Sequence, residues 1–148
     1  MRKGSNLAVF IDTNVLVMSR IPGAPDHDAA RGSLERAFRS QEPLRISRQV
    51  IREYLSVVTR SQSWPVAMTR AEALDDVDRM IGSFEVLEDG PAVTESLVAL
   101  CRDIDVGGRQ IHDANIVATM LTHGERRLLT FNTADFRRYG DRIELLSR

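Results

Sequence analysis

The residues LAVFI at positions 7–11 form an unbroken apolar run, and an aspartate, Asp12, follows it directly. A half-exposed strand alternates apolar and polar side chains, whereas a strand covered on both faces is apolar throughout. The run therefore predicts an interior strand of a parallel sheet that has helices on both sides. Asp12 would then lie at the carboxyl end of that strand, where α/β proteins bind their ligands.

The rest of the chain alternates strand patterns with helix patterns, an order of elements that is typical of an α/β fold. Its 148 residues fit one compact unit, with no visible repeat or domain boundary. We predict a single domain, residues 1–148, with a mainly parallel five-stranded sheet flanked by helices. Further strands are predicted at 44–46, 84–87, 127–131 and 143–146, and helices at 26–40, 48–60, from 69 onward, around 93–104 and at 110–122.

The helix at 26–40 and the helix that begins after Thr69 carry apolar residues at helical spacing, which predicts the side that each one buries. The second of them begins with a capping box formed by Thr69 and Glu72. Its acids Asp75, Asp76 and Asp78 flank the apolar stripe and are predicted to be solvated. The predicted buried residues are Ala30, Leu34, Ala37 and Phe38 on the first helix, and Leu74, Val77, Met80 and Ile81 on the second.

Four acids stand beside apolar segments that a parallel sheet would bring to one edge. They are Asp12, Glu53 on the helix at 48–60, Asp113 in the first turn of a largely apolar helix, and Asp135 beyond the fourth strand. Carboxylates that converge oppose one another's ionisation unless a cation lies among them. Hard cations such as Mg²⁺ or Mn²⁺ prefer oxygen ligands and retain waters and phosphates, which favours phosphodiester chemistry on a nucleic acid.

A structural role is the alternative for the two acids that lie in the most apolar surroundings, Asp12 and Asp113. An unpaired charge in such a place is costly, so a structural acid needs a buried partner. Arg109 is the nearest candidate for Asp113, and Thr13 and Asn14 are the nearest for Asp12.

Composition adds weaker constraints on the partners and on the compartment. The net charge is −1, so the chain lacks the strongly basic balance of many nucleic-acid binders, although 19 of its 20 basic residues are arginine. Arginine suits phosphate recognition, and ordinary surface solubility explains the same residues equally well. One cysteine, Cys101, excludes an internal disulfide, fits a reducing cytoplasm and is predicted to be buried; no membrane-spanning segment is visible. The candidate phosphate contacts are Arg48, Arg52, Arg109, Arg137 and Arg138.

Four motifs in the same order resemble the PIN-domain ribonucleases, and in particular the VapC toxins of bacterial type II toxin-antitoxin systems. They are DTN at 12–14, the helical Glu53, HDANIVATM around Asp113, and TFNTADF, which contains Asp135. The resemblance implies a PIN-like, Rossmann-like three-layer fold and an Mg²⁺- or Mn²⁺-dependent endoribonuclease that cuts RNA such as tRNA or rRNA. It also implies a homodimer inhibited by a VapB-like antitoxin.

Residue by residue, the resemblance implies that Asp12, Glu53, Asp113 and Asp135 form the catalytic acidic quartet. Asp12, Asp113 and Asp135 would hold the metal. The polar residues that would orient these carboxylates are Thr13, Asn14, Thr130 and Asn132.

Other interpretations of the acids differ in how well they fit the sequence. A receiver domain also gathers acids around Mg²⁺ but uses a lysine near its last strands, and the only lysine here is Lys3. A phosphatase with an aspartate nucleophile uses Asp-x-Asp, whereas Asn14 occupies the third position here. A PIN-like module that binds RNA or protein without catalysis remains the main alternative.

Overall fold

The computed structural model describes residues 8–60 and 68–147 of the chain. Strands and helices alternate along it, as the sequence predicts, and each predicted strand is present within about two residues of its expected ends. The strands are β1 Val9–Ile11, β2 Leu44–Ser47, β3 Glu85–Leu87, β4 Arg127–Leu129 and β5 Glu144–Leu146. The helices are α1 Thr13–Arg20, α2 His27–Arg39, α3 Arg48–Thr59, α4 Arg70–Ser83, α5 Pro91–Asp103, α6 Gln110–Thr122 and α7 Thr133–Phe136, and a 3₁₀ segment follows at Arg137–Arg142.

The five strands form one parallel sheet in the order β3-β2-β1-β4-β5, which confirms the predicted α/β fold. β1 is central, and its residues Phe10 and Ile11 are fully buried. Phe10 pairs with Arg45 on one side and with Leu128 on the other. The unbroken apolar run therefore has its physical explanation in a strand that has neighbours on both edges and helices on both faces.

The order of the strands determines where a crevice opens. The chain leaves β1 towards β2 and β3, and later returns to the opposite side of β1 to add β4 and β5. Because crossovers between parallel strands are right-handed, this reversal places the two sets of helices on opposite faces. α1 packs on α2 and α3, and α5 packs on α6. Such a reversal leaves a crevice beyond the carboxyl ends of β1 and β4.

Two helix starts confirm the local sequence signals. The hydroxyl of Ser47 accepts a hydrogen bond from the Val50 N–H and caps α3. Thr69 and Glu72 form the predicted capping box at the start of α4. These caps satisfy N–H groups that have no partner within their own helix.

The predicted buried faces of α2 and α4 are partly wrong. Phe38 is 48% exposed, although its ring lies 5.7 Å from that of Phe84. On α4, Leu74 is 50% and Ile81 is 54% exposed. Met80 is buried as predicted and Val77 is half-buried, but the inward face also carries Ala73 and Asp76, which were not predicted to be buried.

Asp76 explains this outcome on α4, because it is buried among partners instead of being solvated. Its carboxylate accepts hydrogen bonds from Tyr54 of α3 (2.5 Å), from Arg20 of α1 (2.8 Å) and from Arg79. Burial by itself raises the pKa of Asp76, but these three donors hold it below its usual value. A paired acid can therefore occupy the helix interface that the apolar pattern assigned to leucine and isoleucine.

Cys101 lies half-buried in α5. Within residues 8–60 and 68–147, the structure contains no helix that is both long and apolar enough to cross a membrane.

Candidate active site

Asp12 begins the site, because it follows β1 and caps α1 at the crevice. Its backbone N–H donates to the carbonyl oxygen of Leu129 (3.0 Å), which extends the β1–β4 pairing by one residue. Its side chain is buried and accepts hydrogen bonds from the Thr13 N–H (2.8 Å), the Thr130 hydroxyl (2.7 Å) and the Asn14 amide (3.3 Å). The carboxylate is thus held between the ends of two neighbouring strands.

Glu53 reaches the same place from α3. Thr13 connects the two acids, because its hydroxyl donates to Glu53 Oε1 (2.7 Å) while its N–H binds Asp12. The other oxygen of Glu53 accepts from the side-chain amide of Gln49, one turn earlier on α3 (3.0 Å). Glu53 is half-buried on α3.

Asp113 faces these acids from the first turn of α6. It is half-buried, and within the described residues it makes no hydrogen bond or ion pair through its side chain. Arg109, the predicted structural partner, lines the same pocket without pairing with it. Among the described residues, Asp113 therefore lacks the hydrogen bonds that would stabilise the carboxylate of a purely structural acid.

The electrostatics of Asp12 and Asp113 are those of crowded carboxylates. Burial raises the pKa of Asp12 to about 7, and the charges of Asp113 and Glu53 add to this, against the lowering effect of hydrogen bonds from Thr130 and Thr13. Burial also raises the pKa of Asp113 to about 6, with contributions from Asp135 and Glu53. Burial and neighbouring carboxylates thus outweigh the groups that lower the two pKa values.

Asp12, Glu53 and Asp113 line one pocket of about 790 Å³, together with Thr13, Asn14 and Asn132. Asn14 also accepts from the Phe131 N–H (3.3 Å), and the Asn132 N–H donates to the Thr130 hydroxyl (3.0 Å). These contacts tie the segment after β4 to the start of α1. The four polar residues predicted to orient the acids therefore lie around Asp12.

Asp135 occupies a different position from the other three acids. It lies in the short helix α7, where a loop was expected, and its side chain is exposed and outside the lining of the pocket. Its charge nevertheless raises the pKa of Asp113, so the two carboxylates interact across the rim.

The five candidate arginines also divide by position. Arg52 and Arg109 line the pocket. Arg48 pairs with Glu88 through two hydrogen bonds of 3.0 and 2.9 Å, and Arg137 and Arg138 lie outside the lining. The positive charge of Arg138 still lowers the pKa of Asp113.

Four polar residues of the pocket were not among the predicted site residues: Gln49, Ser56, Arg60 and His112. Arg60 lies eight residues after Arg52 and reaches the same pocket, and Gln49 lies four residues before Glu53. Helical spacing places residues four or eight apart on one side of a helix. That spacing was the available signal for Arg60 and Gln49.

The residues present suit a hard divalent cation. The described part of the chain has no group of three or more His, Cys, Asp or Glu side chains placed to hold a metal ion. Mg²⁺, however, is commonly bound through one or two carboxylates, with waters and substrate phosphates completing its coordination. Asp12 and Asp113 offer oxygen ligands, and a bound cation would oppose the burial and the neighbouring carboxylate charges that raise their pKa values.

Comparison with known proteins places these features in context. A sequence model of the PIN domain matches residues 9–142. The ribonuclease VapC43 of Mycobacterium tuberculosis is 27% identical over 113 residues, which cover 75% of this chain and 77% of that relative.

Two solved structures resemble the fold. One is VapBC2 of Rickettsia felis bound to a DNA fragment from its promoter, with a TM-score of 0.70 and 19% identity over 95% of this chain and 98% of that chain. The other is VapC20 of Mycobacterium tuberculosis, a toxin that cleaves the sarcin-ricin loop, with a TM-score of 0.61 and 20% identity over 81% of this chain and 86% of that chain.

Proposed function

This chain belongs to the PIN-domain family, and from that premise we propose that it is an Mg²⁺- or Mn²⁺-dependent endoribonuclease that hydrolyses RNA phosphodiester bonds. The observation that carries the proposal is the joining of Asp12 and Glu53 through Thr13, opposite Asp113, in an open pocket at the carboxyl ends of β1 and β4. Ribonuclease relatives such as VapC43 support the same reaction.

Each acid has a proposed role in this pocket. Asp12 and Asp113 would hold the cation, and Asp135 would assist from the rim. Once bound, such a cation neutralises charge on the phosphate and favours the deprotonation of water. Glu53, fixed by Thr13 and Gln49, would orient the attacking water and accept its proton.

The surrounding residues would hold this arrangement in place and receive the substrate. Thr130 and Asn14 keep the Asp12 carboxylate directed into the pocket by donating to it. Arg52 and Arg109 on the pocket wall would contact phosphates that flank the scissile bond.

We further propose that the chain forms one PIN-like domain and acts in the cytoplasm as the toxin of a type II toxin-antitoxin module. The VapC names of its relatives and the VapBC assembly of a structural neighbour support a VapB-like antitoxin as its partner. A homodimer and a tRNA or rRNA target are further parts of the proposal. Cleavage of the sarcin-ricin loop by VapC20 is a precedent for a defined RNA target.

The direct test is cleavage of total RNA by the wild-type chain and by the Asp12→Asn and Asp113→Asn variants, with Mn²⁺ or with EDTA. We expect EDTA to abolish cleavage and each variant to lose at least about 100-fold, because direct ligands should matter no less than outer partners, whose loss costs about 10–100-fold. Asp78→Asn, on the exposed side of α4, is the matched control. Equal cleavage by Asp113→Asn and wild type would refute the assignment.

A PIN-like module that binds RNA or protein without catalysis is the second candidate. The exposed position of Asp135, outside the pocket lining, favours it. Millimolar Mn²⁺ separates the two, because a ligand that binds only the folded state raises the melting temperature. A catalytic site predicts such a rise for wild type and a smaller one for Asp12→Asn, whereas an inactive module predicts none.

A further inference from the structure

Gln49 is a nearly fully buried polar residue between two of the acids. Its Nε2 donates to Glu53 Oε2 (3.0 Å) and to the backbone carbonyl of His112 (2.8 Å), the residue before Asp113. Its Oε1 accepts from the side-chain amide of Asn115 on α6 (2.8 Å). The side chain of Gln49 therefore makes hydrogen bonds to Glu53 and to two residues of α6, one before and one after Asp113.

The chemistry of its neighbours fixes the orientation of this amide. The Glu53 carboxylate and the His112 carbonyl only accept hydrogen bonds, so the NH₂ group must face them. Asn115 then donates to the remaining oxygen, and it is itself anchored because its amide also donates to Asp89 (3.1 Å). A flipped amide would place its oxygen against two acceptors, so one orientation alone satisfies all three hydrogen bonds of Gln49.

The covalent chain alone does not set the separation of Glu53 and Asp113. Glu53 lies on α3, between β2 and β3 in the chain, and Asp113 lies on α6, between β3 and β4. These two crossovers run in opposite directions along the sheet and cover its opposite faces. Gln49 spans the gap between these helices near the site. Its contacts are partly buried, so breaking them leaves polar groups without these partners and leaves the Glu53 carboxylate held by Thr13 alone among the two donors that bind it.

We propose that Gln49 is a positioning residue that fixes the Glu53 carboxylate relative to Asp113, with Asn115 holding the Gln49 amide. The inference rests on the proposed metal-dependent nuclease function. Gln49 also bonds to His112 and Asn115 on either side of Asp113, a proposed metal ligand, and residues that orient metal ligands commonly contribute about 10–100-fold to metal affinity or activity.

The test compares Gln49→Met with wild type. Methionine has a similar volume and helix propensity but cannot donate these hydrogen bonds. We expect a kcat about 10–100-fold lower at saturating Mn²⁺, a KM for RNA within about threefold, and Mn²⁺ binding without RNA, measured by electron paramagnetic resonance, weakened about tenfold or more. Adding Asn115→Leu should cost little more, because the two residues act as one unit.

Thr119→Val is the matched structural control. Thr119 is buried on α6 and donates its hydroxyl to the Asn115 carbonyl within its own helix (2.8 Å). It should lower the melting temperature while kcat and Mn²⁺ affinity stay within about twofold, when assayed well below unfolding. If Gln49→Met does not fold, Gln49→Glu replaces it, since glutamate retains the acceptor for Asn115 and loses both donated hydrogen bonds.

Three outcomes would overturn the inference. One is a Gln49 variant with wild-type kcat and Mn²⁺ affinity, and another is an equal loss in Thr119→Val, which would assign the effect to packing. The third is a wild-type chain without metal-dependent cleavage, which would overturn the proposed function and this inference together. In the first two outcomes the wild type still cleaves RNA, so failure of the Gln49 inference can be distinguished from failure of the proposed function.

Discussion

At the scale of single residues, Asp12 and Asp113 combine burial with a shortage of counter-charge. Asp12 accepts three hydrogen bonds and still has a pKa of about 7, because burial and the neighbouring carboxylates outweigh those donors. A folded protein that keeps such acids gives up stability at neutral pH unless a cation binds. This cost is what a site prepared for a divalent ion predicts.

The metal-free protein should therefore lose stability from these two acids as pH rises. Asp12 titrates near 3.8 when unfolded and near 7 when folded, and Asp113 is raised to about 6. Across that interval the folded state binds more protons than the unfolded state, so the free energy of unfolding falls with increasing pH. Urea unfolding from pH 4 to pH 8 in EDTA measures this decline.

Asp12→Asn provides the reference, because other acids such as Asp76 have lowered pKa values and act in the opposite direction. The stability of wild type relative to Asp12→Asn should fall between about pH 4 and pH 7 and recover when Mn²⁺ is added at pH 7.5. A difference between the two proteins that does not change with pH would contradict the raised pKa of Asp12.

At the scale of elements, α4 shows how a buried acid can organise helix packing. Asp76 connects α4 to Tyr54 of α3 and to Arg20 of α1. α3 also carries Glu53, and α1 begins at Thr13, so Asp76 connects the helices that form the site. Asp76, Tyr54 and Arg20 themselves do not line the pocket. The role of Asp76 in this position is to hold three helices together.

Asp76→Ala should lower the free energy of unfolding by about 1–3 kcal/mol, since it leaves the buried Tyr54 hydroxyl with only the weak acceptor Met68 Sδ and removes the carboxylate partner of Arg20. Asp75→Ala and Asp78→Ala, on the exposed side of the same helix, should change it by no more than about 0.5 kcal/mol. Urea unfolding of the three variants tests this. Equal effects would restore the interpretation of all three acids as a solvated face.

At the scale of the whole molecule, the near-neutral charge gives no general attraction for RNA. Affinity must then come from arginines placed around the pocket. Arg52 and Arg109 line it, although Arg52 lies 3.9 Å from Asp89, whereas Arg48 lies outside the lining and is paired with Glu88.

Replacing both pocket arginines, in Arg52→Gln/Arg109→Gln, should raise the KM for RNA and make binding less sensitive to salt. Each lost phosphate contact should reduce the slope of log affinity against log salt by about 0.7 for single-stranded RNA. Arg48→Gln is the matched control, since an exposed ion pair contributes little. The same slope in all three proteins would remove these arginines from the phosphate contacts.

Local signals predicted most of the elements. The apolar run before Asp12 predicted the central strand and put Asp12 at the crevice, and Ser47 and Thr69 predicted two helix starts. Helix caps and buried strands are recognised from residues that are close together in the sequence, so local sequence patterns are sufficient to predict them.

Only the tertiary structure decided which side chains meet across elements. It placed Asp76 in the interior, left Leu74 exposed, put Asp135 in a helical turn on the rim, and brought Gln49 between Glu53 and Asp113. Each of these outcomes depends on how separate helices pack, and a buried polar group is stable only where distant donors reach it. The sequence by itself determined the strands, most of the helices and the place of Asp12 at the crevice, whereas helix packing decided which acids share its pocket and what holds them.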